Sequence, residues 1–376
     1  MPQTATASSE DLLAGLAEWV RTETPTTDPA AVNGLMDMAE QTLRDAGAAI
    51  TRIPGIDGYG DNLIARTPNP SNMKPIVIAC HLDTVWNNGT LETMPFKVDG
   101  DKAHGPGIYD MKAGSFLACH VLSSILRQKV KTRRPITLLL TPDEEVGSPT
   151  SRAIIEREAQ GAATVLIMEP AAADGSCVIA RKGVGRFVLE VAGKASHAGS
   201  AYTDGASAVV ELAHQILAIE ALVDVAAGIT LNVGPISGGT RPNVIAEAAC
   251  CEIDLRVPDA DAATRMEKAV LGLRARNKAC TVTVTGGMNR PPFAADAAIL
   301  GLYEKARALA KEVGIDLPKQ SRGGGSDGNF TAALGIPTLD GLGCPGTGAH
   351  AAHEHIQWRQ LGPRAALLAS LLETLE

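Results

Sequence analysis

Short apolar runs alternate with amphipathic stretches along most of the chain. Apolar positions spaced three and four apart predict helices from about Ser9 to Arg21 and from about Ala30 to Ala46. PIVIAC (Pro75 to Cys80), ITLLL (Ile136 to Leu140) and ATVLIM (Ala163 to Met168) are buried-type runs, the first two separated by a helical stretch from Met111 to about Arg127. Strands apolar on both faces suit a sheet covered by helices on each side. The pattern therefore predicts an α/β fold with a mixed, largely parallel sheet sandwiched by helices.

From about Gly183 the order changes to strand (Arg186 to Ala192), helix (Thr203 to Leu222), strand (Ile229 to Gly234), strand (Ala246 to Val257), helix (Asp261 to Arg276) and strand (Cys280 to Thr285). This is the split βαβ order of ferredoxin-like α+β modules. The α/β alternation resumes with a helix from Ala297 to Val313, a strand at IPTLD and a closing helix from Arg359 to Leu375. The expected organisation is a catalytic domain in two parts, 1–182 and 290–376, with an inserted domain at 183–289.

Composition narrows the function. The 376 residues carry a net charge of -8 and only 3 Trp, 4 Tyr and 5 Phe. Neither a phosphate-neutralising surface nor a base-stacking platform is suggested, so no nucleic acid partner is expected. Apolar runs stop far short of the ~20 residues a membrane span needs, and the N-terminus lacks a secretory pattern. The 7 Cys form no C-x-x-C pair, which reads as thiols in a reducing cytoplasm.

Three apolar strands run directly into chemistry: IVIAC into His81 and Asp83, LLLTPD into Glu144 and Glu145, TVLIM into Glu169. If these strands are parallel, their ends share the sheet edge where α/β ligand sites lie. Asp110, in the glycine-rich turn before a helix, joins them from the next loop. Singly, Asp83 reads as a strand-end turn residue, and Glu144 and Glu145 as acids favoured at a helix start. Together, crowded carboxylates would raise one another's pKa, a conflict that a divalent cation removes. The His and carboxylate donors suit zinc, and by chemistry also cobalt or manganese.

His350, His353 and His355 follow the IPTLD strand, and one of them is an expected ligand. A rival reading is the nucleophile-elbow pattern at Gly324 to Gly328, with Asp340 and His350 following in triad order. PKQSRGG precedes it where an apolar strand is required. The glycine run reads better as a loop presenting N–H donors to an anion.

Nine segments occur in an order that resembles one family. HLDTV (81 to 85), GIYDMKAG (107 to 114), PDEEVGS (142 to 148), MEP (168 to 170), GKASHAG (193 to 199), RPNVI (241 to 245), RPPF (290 to 293), GGGSD (323 to 327) and HAAHE (350 to 354) are similar to motifs of the co-catalytic di-zinc peptidases and deacylases. That family includes glutamate carboxypeptidase, aminoacylase, acetylornithine deacetylase and succinyl-diaminopimelate desuccinylase, and the likeness is greatest to the first.

The resemblance implies a zinc-exopeptidase type fold with an inserted dimerisation domain, a homodimer, and two Zn2+ per subunit, with Co2+ or Mn2+ as alternatives. It implies that His81, Asp110 and Glu169 hold one ion, and Asp110, Glu145 and His350 the other. Asp83 matches the acid that orients His81, and Glu144 the catalytic acid/base. His197 matches a histidine that reaches across to the partner's site and steadies the oxyanion. Arg290, Arg256 and Asn243 match residues that grip the substrate's carboxylate or carbonyl, beside Gly325 of the glycine loop. The implied reaction is carboxypeptidase-like hydrolysis of a peptide or N-acyl amino acid amide bond next to a free carboxylate, with small-acyl deacylation as the alternative. Ala246 stands where the family often has proline, and the lysine of the glutamate pocket has no clear counterpart in AAADGSCVIARKG.

Overall fold

The computed structural model of the chain describes residues 2–68 and 72–376. Two compact units emerge, one of Met1–Ala180, Ala295–Ser321 and Ser326–Glu376, the other of Arg181–Ala294 and Arg322–Gly325. Arg322–Gly325 thus clusters with the second unit, where the sequence division leaves it in the catalytic part.

In the first unit, α1 (Ser9–Arg21) and α2 (Pro29–Asp45) each start on a side-chain cap. Ser8 accepts the N–H of Asp11, and Asp28 that of Ala31, with Pro29 preset for the first helical turn. Strands β1 (Ala49–Ile53), β2 (Asn62–Arg66), β3 (Ile76–His81), β4 (Ile136–Thr141) and β5 (Thr164–Ile167) lie in the order β1-β2-β4-β3-β5, with the short strand Thr338–Leu339 beyond β5. β3 runs parallel to β4 and β5, and β5 to Thr338–Leu339, while β2 is antiparallel to both β1 and β4. The sheet is mixed and largely parallel.

Every residue of β3 and β4 is buried. Helix α3 (Ala113–Arg127) packs against both strands, and α4 (Arg152–Gln160) contributes Ile154, Ile155 and Ala159 to clusters with Ile64, Val77, Ala79, Leu139, Val165 and Ile167. Burial of each Val, Leu or Ile side chain among them contributes ~1.5–3 kcal/mol, which anchors the helices to the strands.

In the second unit, β6 (Gly183–Ala192), α5 (Ala208–Glu220), β7 (Thr230–Gly238), β8 (Ala248–Val257), α6 (Ala260–Leu271) and β9 (Thr281–Arg290) follow the ferredoxin-like order. The sheet is antiparallel, ordered β7-β8-β6-β9. Burial alternates along β6, so Phe187, Leu189 and Val191 meet Leu212, Ile219, Met266 and Val270 of the helices.

Three boundaries differ from expectation. The helix expected from Thr203 starts at Ala208, because Ala206 bridges Lys194 in extended backbone and Ser207 caps the helix. The helix expected to reach Arg276 stops at Leu271, with Gly272 closing it. The last strand, expected to stop at Thr285, runs on to Arg290. Among the described residues, no helix is long and apolar enough to cross a membrane.

Candidate active site

Because β3, β4 and β5 are parallel, they deliver their carboxyl ends to one edge of the sheet. β3 ends in His81, a single turn Glu144–Val146 follows β4, and Glu169 stands just beyond β5. Asp110 lies in non-helical backbone ahead of α3, and the peptide after it is cis. His350 adopts a left-handed φ of 62° in the loop after Thr338–Leu339.

These segments bring five side chains together. His81 Nε2 is 3.3 Å from Asp110 Oδ1 and 3.6 Å from Glu169 Oε1. His350 Nε2 is 3.4 Å from Asp110 Oδ2 and 3.1 Å from Glu145 Oε2. In each of the groups His81-Asp110-Glu169 and Asp110-Glu145-His350, one ligand atom per residue lies within 4.8 Å of the others. Asp110 belongs to both groups, with one oxygen toward each imidazole. His353 and His355 belong to neither.

The electrostatics suit a cation. Burial, then repulsion from Asp110, pushes the Glu145 carboxyl up to about 8. His350 is raised to about 10 by Asp110 and Glu145. Burial works against charge on Asp110, yet His350 and His81 outweigh it and hold that carboxyl well below the usual range. Among the described residues, the buried His81 Nε2 and Glu145 Oε1 have no hydrogen-bond partner. Unpaired buried donors and acceptors are costly, and cations at the two positions would satisfy both atoms. The residues present fit two divalent ions.

Asp83 is fully buried and does more than the sequence suggests. His81 Nδ1 lies 3.0 Å from its main-chain oxygen and 3.4 Å from Oδ1. Its carboxylate also accepts the N–H groups of Glu144 and Glu145, both at 3.2 Å, and the Thr26 hydroxyl at 2.7 Å. One side chain thus holds both the histidine and the turn that carries Glu144. Two buried groups escaped the sequence reading. Lys112, whose ammonium donates to Thr22 O at 2.7 Å, is pushed down to about 7 by burial. Glu354 is the other, its carboxylate buried against the Asp110 loop.

The serine-nucleophile reading is overturned. Ser326 is fully buried and donates directly to Asp340 at 2.6 Å, with no imidazole between them, while His350 lies with Asp110 and Glu145.

In the second unit, the exposed His197 pairs with Val244, and Ala198 N–H bonds Asn243 O at 3.0 Å, so the segments of His197 and Asn243 run side by side. His197 Nδ1 accepts the N–H groups of Gly199 and Ser200 at 3.1 and 3.2 Å, which assigns the proton of the neutral ring to Nε2. A Cβ on Gly325 would fall 2.6 Å from Cδ of the buried Arg290, so the glycine loop lies directly on that arginine. Arg181 supports the same loop, donating to Gly324 O at 3.2 Å. Arg256 is held bidentately by Asp254 at 2.6 and 2.8 Å, with Nη1 directed to Gly323 O at 3.5 Å.

A carboxylate shared between two imidazole-bearing groups, at the carboxyl edge of a covered sheet, marks the class as a metal-dependent hydrolase. Residues 77–374 match Peptidase family M20/M25/M40, and the chain belongs to that family. It is 34% identical to Carboxypeptidase G2 of Pseudomonas sp. (strain RS-16) over 355 residues, 93% of this chain and 85% of that protein. In fold it is similar to aminopeptidase PepT from Bacillus cereus, with TM-score 0.79 and 22% identity over 97% of this chain and 98% of that one. The M20 family metallo-carboxypeptidase Sso-CP2 from Sulfolobus solfataricus is similar too, with TM-score 0.74 and 16% identity over 97% of this chain and 100% of that one. The chain is a metallohydrolase of the peptidase class.

Proposed function

We propose that the chain is a two-zinc, carboxypeptidase-type amidohydrolase that cleaves a peptide or N-acyl amino acid amide bond next to a free carboxylate. The observation that carries this reading is the pair of three-residue groups sharing Asp110. Likeness to Carboxypeptidase G2 favours carboxypeptidase action over small-acyl deacylation. His81, Asp110 and Glu169 would hold one ion and Asp110, Glu145 and His350 the other, an N/O donor set suited to zinc.

Bound ions supply polarisation of a water and of the scissile carbonyl. Glu144, on the turn fixed by Asp83, accepts the water's proton and returns it to the departing nitrogen. Nε2–H of His197, reaching across to the partner's site, is the donor for the oxyanion. Arg290, with Asn243 and the Gly325 loop, grips the substrate carboxylate, for which a guanidinium fork is matched. Arg256, engaged by Asp254, serves to steady Gly323.

The working form in this reading is a cytoplasmic homodimer. In the second unit β7 is an outer strand of its sheet, and Val209, Val210, Leu217 and Ile236 are exposed, a combination suited to a second copy. The seven cysteines are free, as a reducing compartment requires. The test is hydrolysis of dipeptides, N-acyl-glutamates and N-acetylornithine before and after chelation, with sedimentation to read the oligomer. Chelated enzyme should be inactive, and Glu144→Gln should lose roughly 10²–10⁴-fold in kcat while keeping metal. Full turnover after chelation overturns the reading.

A further inference from the structure

Glu354 is fully buried, and each oxygen of its carboxylate receives two donors. Oε1 accepts the main-chain N–H groups of Tyr109 at 2.8 Å and Asp110 at 3.0 Å. Oε2 accepts the N–H of Gly107 at 3.0 Å and the Trp86 indole N–H at 2.8 Å. Four donors occupy the carboxylate's ~four acceptor sites. Three come from the turn that presents Asp110, whose two oxygens face His81 and His350.

The same residue closes the other loop. Between His350 and Glu354 the chain makes tight turns, with Ala351 N–H on Gly348 O and Glu354 N–H on Ala351 O, both at 2.9 Å. A Cβ on Gly348 would lie 2.9 Å from Glu354 Cα, so the loop closes directly on the glutamate. Glu354 therefore ties the segment of Asp110 to the segment of His350, although 244 residues separate it from Asp110.

We propose that Glu354 is a positioning residue that sets Asp110 and His350 relative to each other and so governs occupancy of the metal position formed by Asp110, Glu145 and His350. This rests on the two-ion reading above. The other position keeps His81 and Glu169 on strand ends that Glu354 does not touch, so it depends on Glu354 less. Glutamine is no substitute here: in either orientation its NH2 group faces two N–H donors. A space-filling role would be met by glutamine; an acceptor role would not.

The experiment is a Zn2+ titration against a chromophoric chelator for the wild type, Glu354→Gln and Glu354→Ala, with circular dichroism and melting curves alongside. The wild type takes up two equivalents; uptake of fewer overturns the two-ion reading whatever the variants do. In both variants one equivalent weakens by roughly 10–100-fold, the other changes little, and excess Zn2+ restores kcat. Wild-type affinities for both equivalents in Glu354→Gln overturn the proposal. If neither variant is soluble, Trp86→Phe removes one donor and decides the matter. A weaker affinity for the same equivalent supports the proposal, and two unchanged affinities overturn it.

Discussion

Oδ1 of Asp83 accepts the main-chain N–H of Glu144 at 3.2 Å, so a buried carboxylate beyond one strand fixes the turn beyond its neighbour. Because the other oxygen takes the N–H of Glu145 and His81 packs on the same residue, Asp83 sets a proposed acid/base and two proposed ligands at once. Asparagine at this site would turn an NH2 group toward one of those N–H donors. Asp83→Asn should fold, lose roughly 10–100-fold in metal affinity and fall further in kcat than in KM. Unchanged kinetics and metal content would show that the turn holds itself.

Metal uptake should depend steeply on pH. In the metal-free protein His350 is raised to about 10, first by Asp110, and Glu145 to about 8, first by burial. A raised folded pKa stabilises the chain fully below its ordinary value and loses that contribution as pH rises through the folded value. Metal-free stability should therefore decline from about pH 4.5 to 8 through Glu145 and from about 6.5 to 10 through His350. Ions compete for the same atoms, so binding expels protons and tightens with pH. Zn2+ affinity should rise with pH up to about 8 through Glu145 and on to about 10 through His350, and the Tm gap between loaded and metal-free protein should widen over the same range. Calorimetry in buffers of different ionisation enthalpy reads the protons released; a pH-independent affinity would place the ions elsewhere.

The substrate grip can be tested at a residue with no side chain. Alanine at position 325 would put a methyl group 2.6 Å from Arg290 Cδ and 3.0 Å from Val184 Cγ2. Overpacking of this kind costs ~1–3 kcal/mol, displacing the guanidinium. For substrates with a free carboxylate, Gly325→Ala should lower kcat/KM by roughly 10- to 100-fold, chiefly through KM. Carboxamide analogues should be hydrolysed equally poorly by both enzymes. A variant with wild-type KM for the carboxylate substrate would remove the loop from substrate binding.

What was legible in the sequence follows from range. His81, Glu145 and Glu169 could be placed at one edge because each follows an apolar run, and parallel pairing of those runs does the rest. The ferredoxin-like order was readable because burial alternates along β6 and β8. β1 was not, since AITRI is half exposed and carries no continuous apolar signal. Nor were the role of Glu354 and the hold of Asp83 on the Glu144 turn, since these carboxylates act on backbone N–H groups remote in sequence, 244 residues away from Glu354 and 61 from Asp83. Side-chain to backbone bonds of that range leave no local pattern. Arg181 was hidden for the same reason, since its partners in the glycine loop lie 143 and 144 residues on.

Glu211 gives a stability test within the second unit. Only 1% exposed, it accepts the N–H groups of Arg276 and Asn277 at 2.8 Å each and the Gln215 amide at 2.6 Å, pinning the loop after α6 to α5. Burial would raise its pKa, but the N–H groups of Asn277 and Arg276 outweigh that and lower it. A lowered folded pKa contributes stability above the ordinary carboxylate value and loses it as pH falls through the folded value. Glutamine keeps the shape but turns its NH2 group toward a backbone N–H, so Glu211→Gln should cost ~1.5–3 kcal/mol at pH 7. The deficit should be smaller at an acid pH below the ordinary carboxylate value, as the wild-type carboxylate takes up its proton through its lowered folded value. Urea unfolding of both proteins at the two pH values measures it, and a deficit that stays constant into acid would mean that the side chain acts through packing rather than through its charge.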